Sequence, residues 1–278
     1  MTITFEPPAD FDYSIESPRY GAYQGINPRA GLQEARALIE HAILHQPRSL
    51  QKRIGPSEIG TPCDHCLAAK LAGWPSTEKD VPWLPFIGTA VHSALEDMFI
   101  NHEIHRNAIN TTGLRYLGEH RTMVGQIDGE DIWGSVDLTD LATGMTVDWK
   151  IVGKTTLDAA RRGPSEVYRA QAHLYAKGLC DEGFDIRHVS IAYLPRNAMS
   201  LAQAVWWTEP HNRAVAENAL ARANRFALNI RALRTIGQEA VDGWITNLPR
   251  YANCRDCERF PDYKPQARDD EFSDLARK

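Results

Sequence analysis

Three short apolar stretches separated by two glycine-containing breaks constrain this chain more than any other feature. Residues 114–126, 131–138 and 145–152 alternate or run apolar, and the breaks fall at Asp128-Gly129 and Thr143-Gly144. Aspartate or threonine followed by glycine supplies the left-handed backbone that tight hairpin turns require. The segment therefore reads as successive strands folded back on one another. Everything else in the chain has to be arranged around that β region.

Helical periodicity flanks it. Residues 31–46 carry Leu32, Ala35, Leu38, Ile39, Ala42 and Ile43 at helical spacing, which predicts an amphipathic helix. A turn-rich segment leads into a short helix over 64–72, ended by Gly73. Pro75 to Pro85 reads as a loop, and the pattern is helical again from Phe86 to Arg106. After the strands, a helix is predicted over 164–181, opened by Gly163-Pro164. Strands follow at 187–194 and 203–208, and a long helix runs over 210–236 from Pro210. Residues 1–30, rich in Pro, Gly, Tyr and Asp, read as an irregular arm. This order predicts an α/β fold with a mixed sheet flanked by helices. It lacks the regular strand–helix alternation of a doubly wound nucleotide fold, and it has no glycine-rich phosphate loop.

The bulk properties narrow the class. A chain of 278 residues can hold one large domain or two small ones. No apolar run approaches the roughly 20 residues needed to cross a bilayer, and the first residues lack the basic and apolar regions of a secretory signal. The expectation is a cytoplasmic protein without a membrane partner. A net charge of −5 argues against a surface coated in positive charge, but it leaves room for a local basic groove. The acidic excess lies largely at the ends, in Glu6, Asp10, Asp12, Asp269, Asp270, Glu271 and Asp274.

The chemistry-bearing residues are spread over the central elements. His92 lies in GTAVHSALE, Asp137 in WGSVDLTD, and Asp148 and Lys150 in TVDWKIV. Neighbouring strands can set Asp137 and Asp148 side by side. Asp148 and Lys150, two apart on a strand, face the same way. Carboxylate oxygens suit Mg²⁺ or Mn²⁺, and a nitrogen from His92 suits Mn²⁺ better. Lys150 can orient a water or stabilise the crowded oxygens of a phosphoryl transition state. Taken singly, each feature also fits a plainer role. An Asp-x-Lys can be a solvated pair, His92 a core histidine, and Gln171 with Tyr175 a capping or core pair. Glu96, one turn from His92, reads either as its partner or as an exposed helix charge, and Glu119, heading a strand, reads as structural or as approaching the site.

In order, these segments resemble the PD-(D/E)XK nuclease superfamily, and most closely its RecB/AddB-type and CRISPR-associated exonucleases. The likeness rests on Ser57 to Gly73 with Cys63, on the three segments above, and on YRAQAHLYAKGL with Gln171 and Tyr175, and it covers residues 54–260. It implies a restriction-endonuclease-like core. Residues 1–50 would form an N-terminal arm and helix, 51–210 the nuclease core, and 211–278 a C-terminal helix and cysteine-bearing tail packed on it. It implies that His92, Asp137, Asp148 and the backbone carbonyl of Trp149 hold the metal, that Lys150 is the catalytic lysine, and that Gln171 and Tyr175 touch DNA. The implied activity is divalent-metal-dependent hydrolysis of DNA, exonucleolytic on single strands, in recombination, repair or replication beside proteins of those processes. A metal-stapled nucleic-acid-binding or assembly subunit without activity is the alternative. Oligomeric state is not readable.

Four of the five cysteines form two C-x-x-C pairs, Cys63/Cys66 and Cys254/Cys257. Together they can supply four thiolates to a tetrahedral Zn²⁺ or to a 4Fe–4S cluster, or they can be thiols without a metal. The resemblance implies the 4Fe–4S cluster, although the family's spacing places one cysteine before the core and three after, against two and two here. Zn²⁺ is the alternative. His65, inside CDHC, is a secondary candidate ligand. Cys180 reads as a small buried hydrophobe. Arg161, Arg162 and Arg169, with Lys154 nearby, read as phosphate contacts. Arg222, Arg225, Arg231 and Arg234 read as a solvated face or as further contacts. Trp149, Tyr168 and Tyr175 are core residues or stacking platforms for single-stranded bases.

Overall fold

A computed structural model describes residues 27–45, 54–76, 81–109, 113–252, 254 and 256–262. The arm read over 1–30 lies, up to residue 26, outside the described residues. The helices are α1 (Pro28–Leu44), α2 (Pro56–Ile59), α3 (Asp64–Ala72), α4 (Trp83–Ile109), α5 (Lys154–Ala160), α6 (Glu166–Asp181), α7 (Arg213–Arg234) and α8 (Gln238–Thr246). The strands are β1 (Tyr116–Ile127), β2 (Glu130–Asp140), β3 (Met145–Val152), β4 (His188–Pro195) and β5 (Val205–Pro210). They form one mixed sheet in the order β1-β2-β3-β4-β5. All neighbours are antiparallel except β3 and β4, which are parallel and joined through α5 and α6.

The expected turns are where the glycines stand. Asp128 and Gly129 both take left-handed backbone between β1 and β2 (φ 51° and 83°), which matches the right-handed twist of the flanking strands. Gly73 closes α3 in the same conformation, where a side chain would be strained. Two expected helix starts shift. α6 opens at Ser165, whose hydroxyl accepts from the Tyr168 amide, and α7 opens at Asn212, whose side chain accepts from the Ala214 amide. The connection after β3 contains a helix, α5, and the polar end contains another, α8.

The sheet is covered on both faces. On one, Val124, Val136, Ile191 and Tyr193 pack against Leu174 and Leu179 of α6 and Leu220 of α7 in the main core. The fit of α6 is close. A Cβ on Gly178 would lie 2.5 Å from Thr122 Oγ1 and 3.0 Å from the Met123 carbonyl, so only glycine lets that helix approach β1. On the other face, Leu138, Val147, Trp149, Ala192 and Leu194 pack under Leu95 and Phe99 of α4. A third cluster, around Ile230, Val241, Ile245 and Phe260, encloses the cysteines. α7 is tied down by charge as well: Arg222 binds Asp64 and the Thr61 carbonyl, Arg231 pairs with Asp128, and Arg234 donates to the Ala72 carbonyl. Those arginines thus hold elements together. Cys180 is partly buried, with its sulfur 3.6 Å from the Ile186 carbonyl.

Candidate active site and metal centre

The four central groups converge where β2 parts from β3. Their ladder runs from Asp140–Met145 to Leu138–Val147. Past that last pair the Asp137 carboxylate takes the place of a strand partner. Its Oδ2 accepts from the Trp149 amide at 2.7 Å, and its Oδ1 lies 3.1 Å from His92 Nδ1 on α4. Asp148 lies next to Trp149 on β3, and Lys150 Nζ is 2.7 Å from Asp148 Oδ2. The ammonium and the carboxylate form a close ion pair, with Asp148 Oδ2 shielded from solvent. A buried carboxylate oxygen is a ready ligand for a cation. One imidazole and two carboxylates suit Mn²⁺ or Mg²⁺ by donor type, although among the described residues it is the cysteine group, and not this one, whose ligand atoms all lie within 4.8 Å of one another.

α6 braces the lysine. Lys150 Nζ donates to Gln171 Oε1 at 2.9 Å, and Gln171 Nε2 donates to the Tyr175 hydroxyl at 3.0 Å. The four-residue spacing stacks the latter two on one helix face. Tyr175 is seated on Gly134, where a Cβ would come within 2.6 Å of its ring. Lys150 also lies over the Tyr168 ring, 4.7 Å from its centre. Burial pushes the Asp148 carboxyl up to about 6; Lys150 opposes the shift and Asp137 adds to it.

Other expected contacts are engaged elsewhere. Arg169 Nε pairs with Glu209 at 2.6 Å. Arg161 and Lys154 both pair with Asp158, and Arg162 is exposed on the turn after α5. Trp149 is buried on the far face, stacked on Phe99 at 5.9 Å. A cavity of about 320 Å³ lies there, lined by Phe99, Tyr116, Trp149, Ser190 and Trp206 among others.

Three features of the region escape sequence reading. The β1–β2 ladder skips Glu119, which takes left-handed backbone (φ 35°). Burial and then its bond to Glu96 raise the Glu119 carboxyl, so Glu96 partners a strand carboxyl. Tyr193, paired in register with Lys150 across the parallel strands, has a buried hydroxyl without a hydrogen-bond partner among the described residues. Only the strand order, which no local pattern carries, brings it there.

Behind α6 a buried histidine, His173, meets a partly buried one, His211. His173 Nε2 donates to Glu209 at 2.6 Å, and its Nδ1 accepts from the Asn212 amide at 3.2 Å. His211 lies 3.3 Å away, and burial, helped by His173 and Arg213, lowers its pKa to about 4 from 6.5. His173 is lowered too, by burial against the pull of Glu209. The unfolded chain therefore takes up these protons before the folded one, and stability falls as pH drops from about 6.5 toward about 4. After allowance for solvent screening, His211 accounts for about 1–2 kcal/mol of that loss. Melting temperatures across this range should show it, with a shallower slope in His211→Gln. An unchanged slope would remove the assignment.

The cysteines form a second centre at the start of α3. Cys63, Cys66 and Cys257 are buried. Their sulfurs lie 3.6 Å (Cys63–Cys257) and 3.4 Å (Cys66–Cys257) apart, and Cys254 reaches Cys66 at 3.6 Å. The ligand atoms of Cys63, His65, Cys66 and Cys257 all lie within 4.8 Å of one another, a group that could hold a metal ion. Hydrogen bonding to Cys66 lowers the Cys63 thiol to about 4, while the same bond and burial push Cys66 upward. One thiolate forms readily; a second needs a cation beside it.

No protein-family model matches the sequence, and no curated protein matches it. Among solved structures, the chain is similar to an alkaline exonuclease from Laribacter hongkongensis, with 12% identity over 69% of this chain and 94% of that one, and a TM-score of 0.43. It is also similar to a phage-related exonuclease from Haemophilus somnus, with 11% identity over 65% and 95% and a TM-score of 0.38. Neither is named as a RecB-type or CRISPR-associated protein, so the likeness does not extend to those subtypes. No helix among the described residues is long and apolar enough to cross a membrane.

Proposed function

We propose that this chain is a divalent-metal-dependent DNA nuclease of the PD-(D/E)XK type, acting as an exonuclease on single-stranded ends. The observation that carries the reading is the convergence of His92, Asp137, Asp148 and Lys150 at one fork of the sheet. The single-strand and end preferences, and a place beside recombination, repair or replication proteins, follow from the sequence resemblance. So does the division into an arm and helix (1–50), a core (51–210) and a stapled tail (211–278).

In this reading His92, Asp137, Asp148 and the Trp149 carbonyl hold Mg²⁺ or Mn²⁺. The ion, when bound, stabilises charge on the phosphoryl oxygens and acidifies a water. The protein's own groups do the rest. Asp137 locks the Trp149 amide and so fixes the strand that carries Asp148. Lys150, aimed by Gln171 and backed by Tyr168, presents a positive charge where negative charge grows in the transition state. Tyr175 orients Gln171 from behind. Arg161, Arg162 and Arg169 supply phosphate contacts, the first and last by exchanging a carboxylate partner for DNA.

The test uses linear and circular DNA, single- and double-stranded, labelled at either end, with Mg²⁺ or Mn²⁺. A ladder from one end of linear single strands, intact circles, and no cleavage by Asp148→Asn are expected. A folded wild-type protein that degrades none of these substrates, or an Asp148→Asn variant as active as wild type, would sink the proposal.

A further inference from the structure

We infer that the cysteine centre holds one tetrahedral zinc ion, ligated by Cys63, Cys66, Cys257 and His65 Nδ1, in place of an iron–sulfur cluster. This is independent of the nuclease reading.

The argument begins with distances between sulfurs. Around a single ion with metal–sulfur bonds of about 2.3 Å, tetrahedral geometry sets sulfurs about 3.8 Å apart. Cys257 Sγ here lies 3.6 Å from Cys63 Sγ and 3.4 Å from Cys66 Sγ. A 4Fe–4S cluster binds each thiolate to a different iron at the corners of a cube, so its cysteine sulfurs stand much farther apart. The space among these sulfurs admits one ion and cannot admit four irons with four sulfides. The donor set therefore does not fit the cluster that the resemblance implies.

The fourth ligand follows from His65. Its side chain is wholly buried, and its Nε2 lies 3.0 Å from Asp262 Oδ2, which Arg250 also holds at 2.6 Å. A carboxylate on Nε2 keeps the proton there and leaves the Nδ1 lone pair free. That nitrogen faces the sulfurs, 4.0 Å from Cys66 and 3.9 Å from Cys257. An ion among them would draw these separations in to about 3.6 Å. Trp74 and Phe260 meet the imidazole edge-on and fix its plane. Cys254 is only partly buried. Its sulfur reaches Cys66 at 3.6 Å but does not belong to the group whose ligand atoms all lie within 4.8 Å of one another, so we assign it as a neighbouring thiol. Three sulfurs and a nitrogen in a closed, buried site match the donor preference of zinc.

X-ray absorption at the zinc edge of the purified full chain tests this directly. One zinc per chain is expected, with three sulfurs at about 2.3 Å and one nitrogen at about 2.0 Å. Cys254→Ser should retain the ion. Asp262→Asn should weaken zinc affinity about 10- to 100-fold in competition with a chromophoric chelator. A brown protein with iron and acid-labile sulfide would overturn the proposal. So would four sulfurs around the zinc, loss of the ion in Cys254→Ser, or a wild-type chain that takes up no zinc on reconstitution.

Discussion

Lys150→Ala is expected to lower the rate of DNA cleavage by about 10²- to 10³-fold, the cost of removing one well-placed positive group from a charged transition state. Two effects act together. The ammonium lies 2.7 Å from Asp148 Oδ2, and it is the main influence opposing the burial that raises that carboxyl. Without it Asp148 holds its proton to higher pH and competes less well for a divalent cation. The variant should therefore need more metal for half-maximal activity, besides turning over more slowly. Lys150→Arg should rescue little, because a planar guanidinium does not reproduce a point charge seated between Asp148 and Gln171. Gln171→Ala leaves the charge in place and should cost less. Measured rates under varied Mn²⁺ separate these cases. Unaltered turnover in Lys150→Ala would show that the fork in the sheet is not where chemistry occurs.

Stripping the cysteine centre is expected to have the largest effect on stability. The inferred ion would join the start of α3 to Cys257, segments otherwise connected by the His65–Asp262 bond and by the apolar cluster that includes Phe260. Structural zinc sites can supply much of a small domain's folding energy. Losing several kcal/mol in a chain of this size corresponds to a melting temperature lower by about 10 °C or more. Calorimetry with and without a strong chelator, and with Cys257→Ser, measures the difference. Proteolysis should then begin around residues 249–262 while the sheet stays resistant. A melting temperature indifferent to chelation would mean that packing alone secures the tail.

Much of this architecture was legible from local pattern. Strand β3 occupies the predicted span 145–152, and α3 the predicted 64–72, because alternation of apolar with polar residues and a terminal glycine are strong local signals. The meeting of His92, Asp137, Asp148 and Lys150 was legible as well, since two residues on one strand and one on its hairpin neighbour leave few arrangements. α5 was not: KTTLDAA is a single short helix with two β-branched residues, and it reads as connection. α8 was missed because Gly243 and polar neighbours mask its apolar face. The parallel register that sets Tyr193 beside Lys150 depends on how helices stack against the sheet, and so does the position of Asp262 behind His65. Neither leaves a trace at short sequence distance.

Trp149 stands on the opposite side of β3 from the carboxylate and lysine that neighbour it, with its amide held by Asp137 and its indole stacked on Phe99. The protein therefore carries a built-in optical gauge. A cation held by the Asp137 carboxylate would sit one hydrogen bond away from that amide, so a change in charge there reaches the buried indole through a single residue of strand. With the other six of the seven tryptophans replaced by phenylalanine, emission from this ring would report occupancy of the proposed site from behind the sheet, in a place no polynucleotide has to touch.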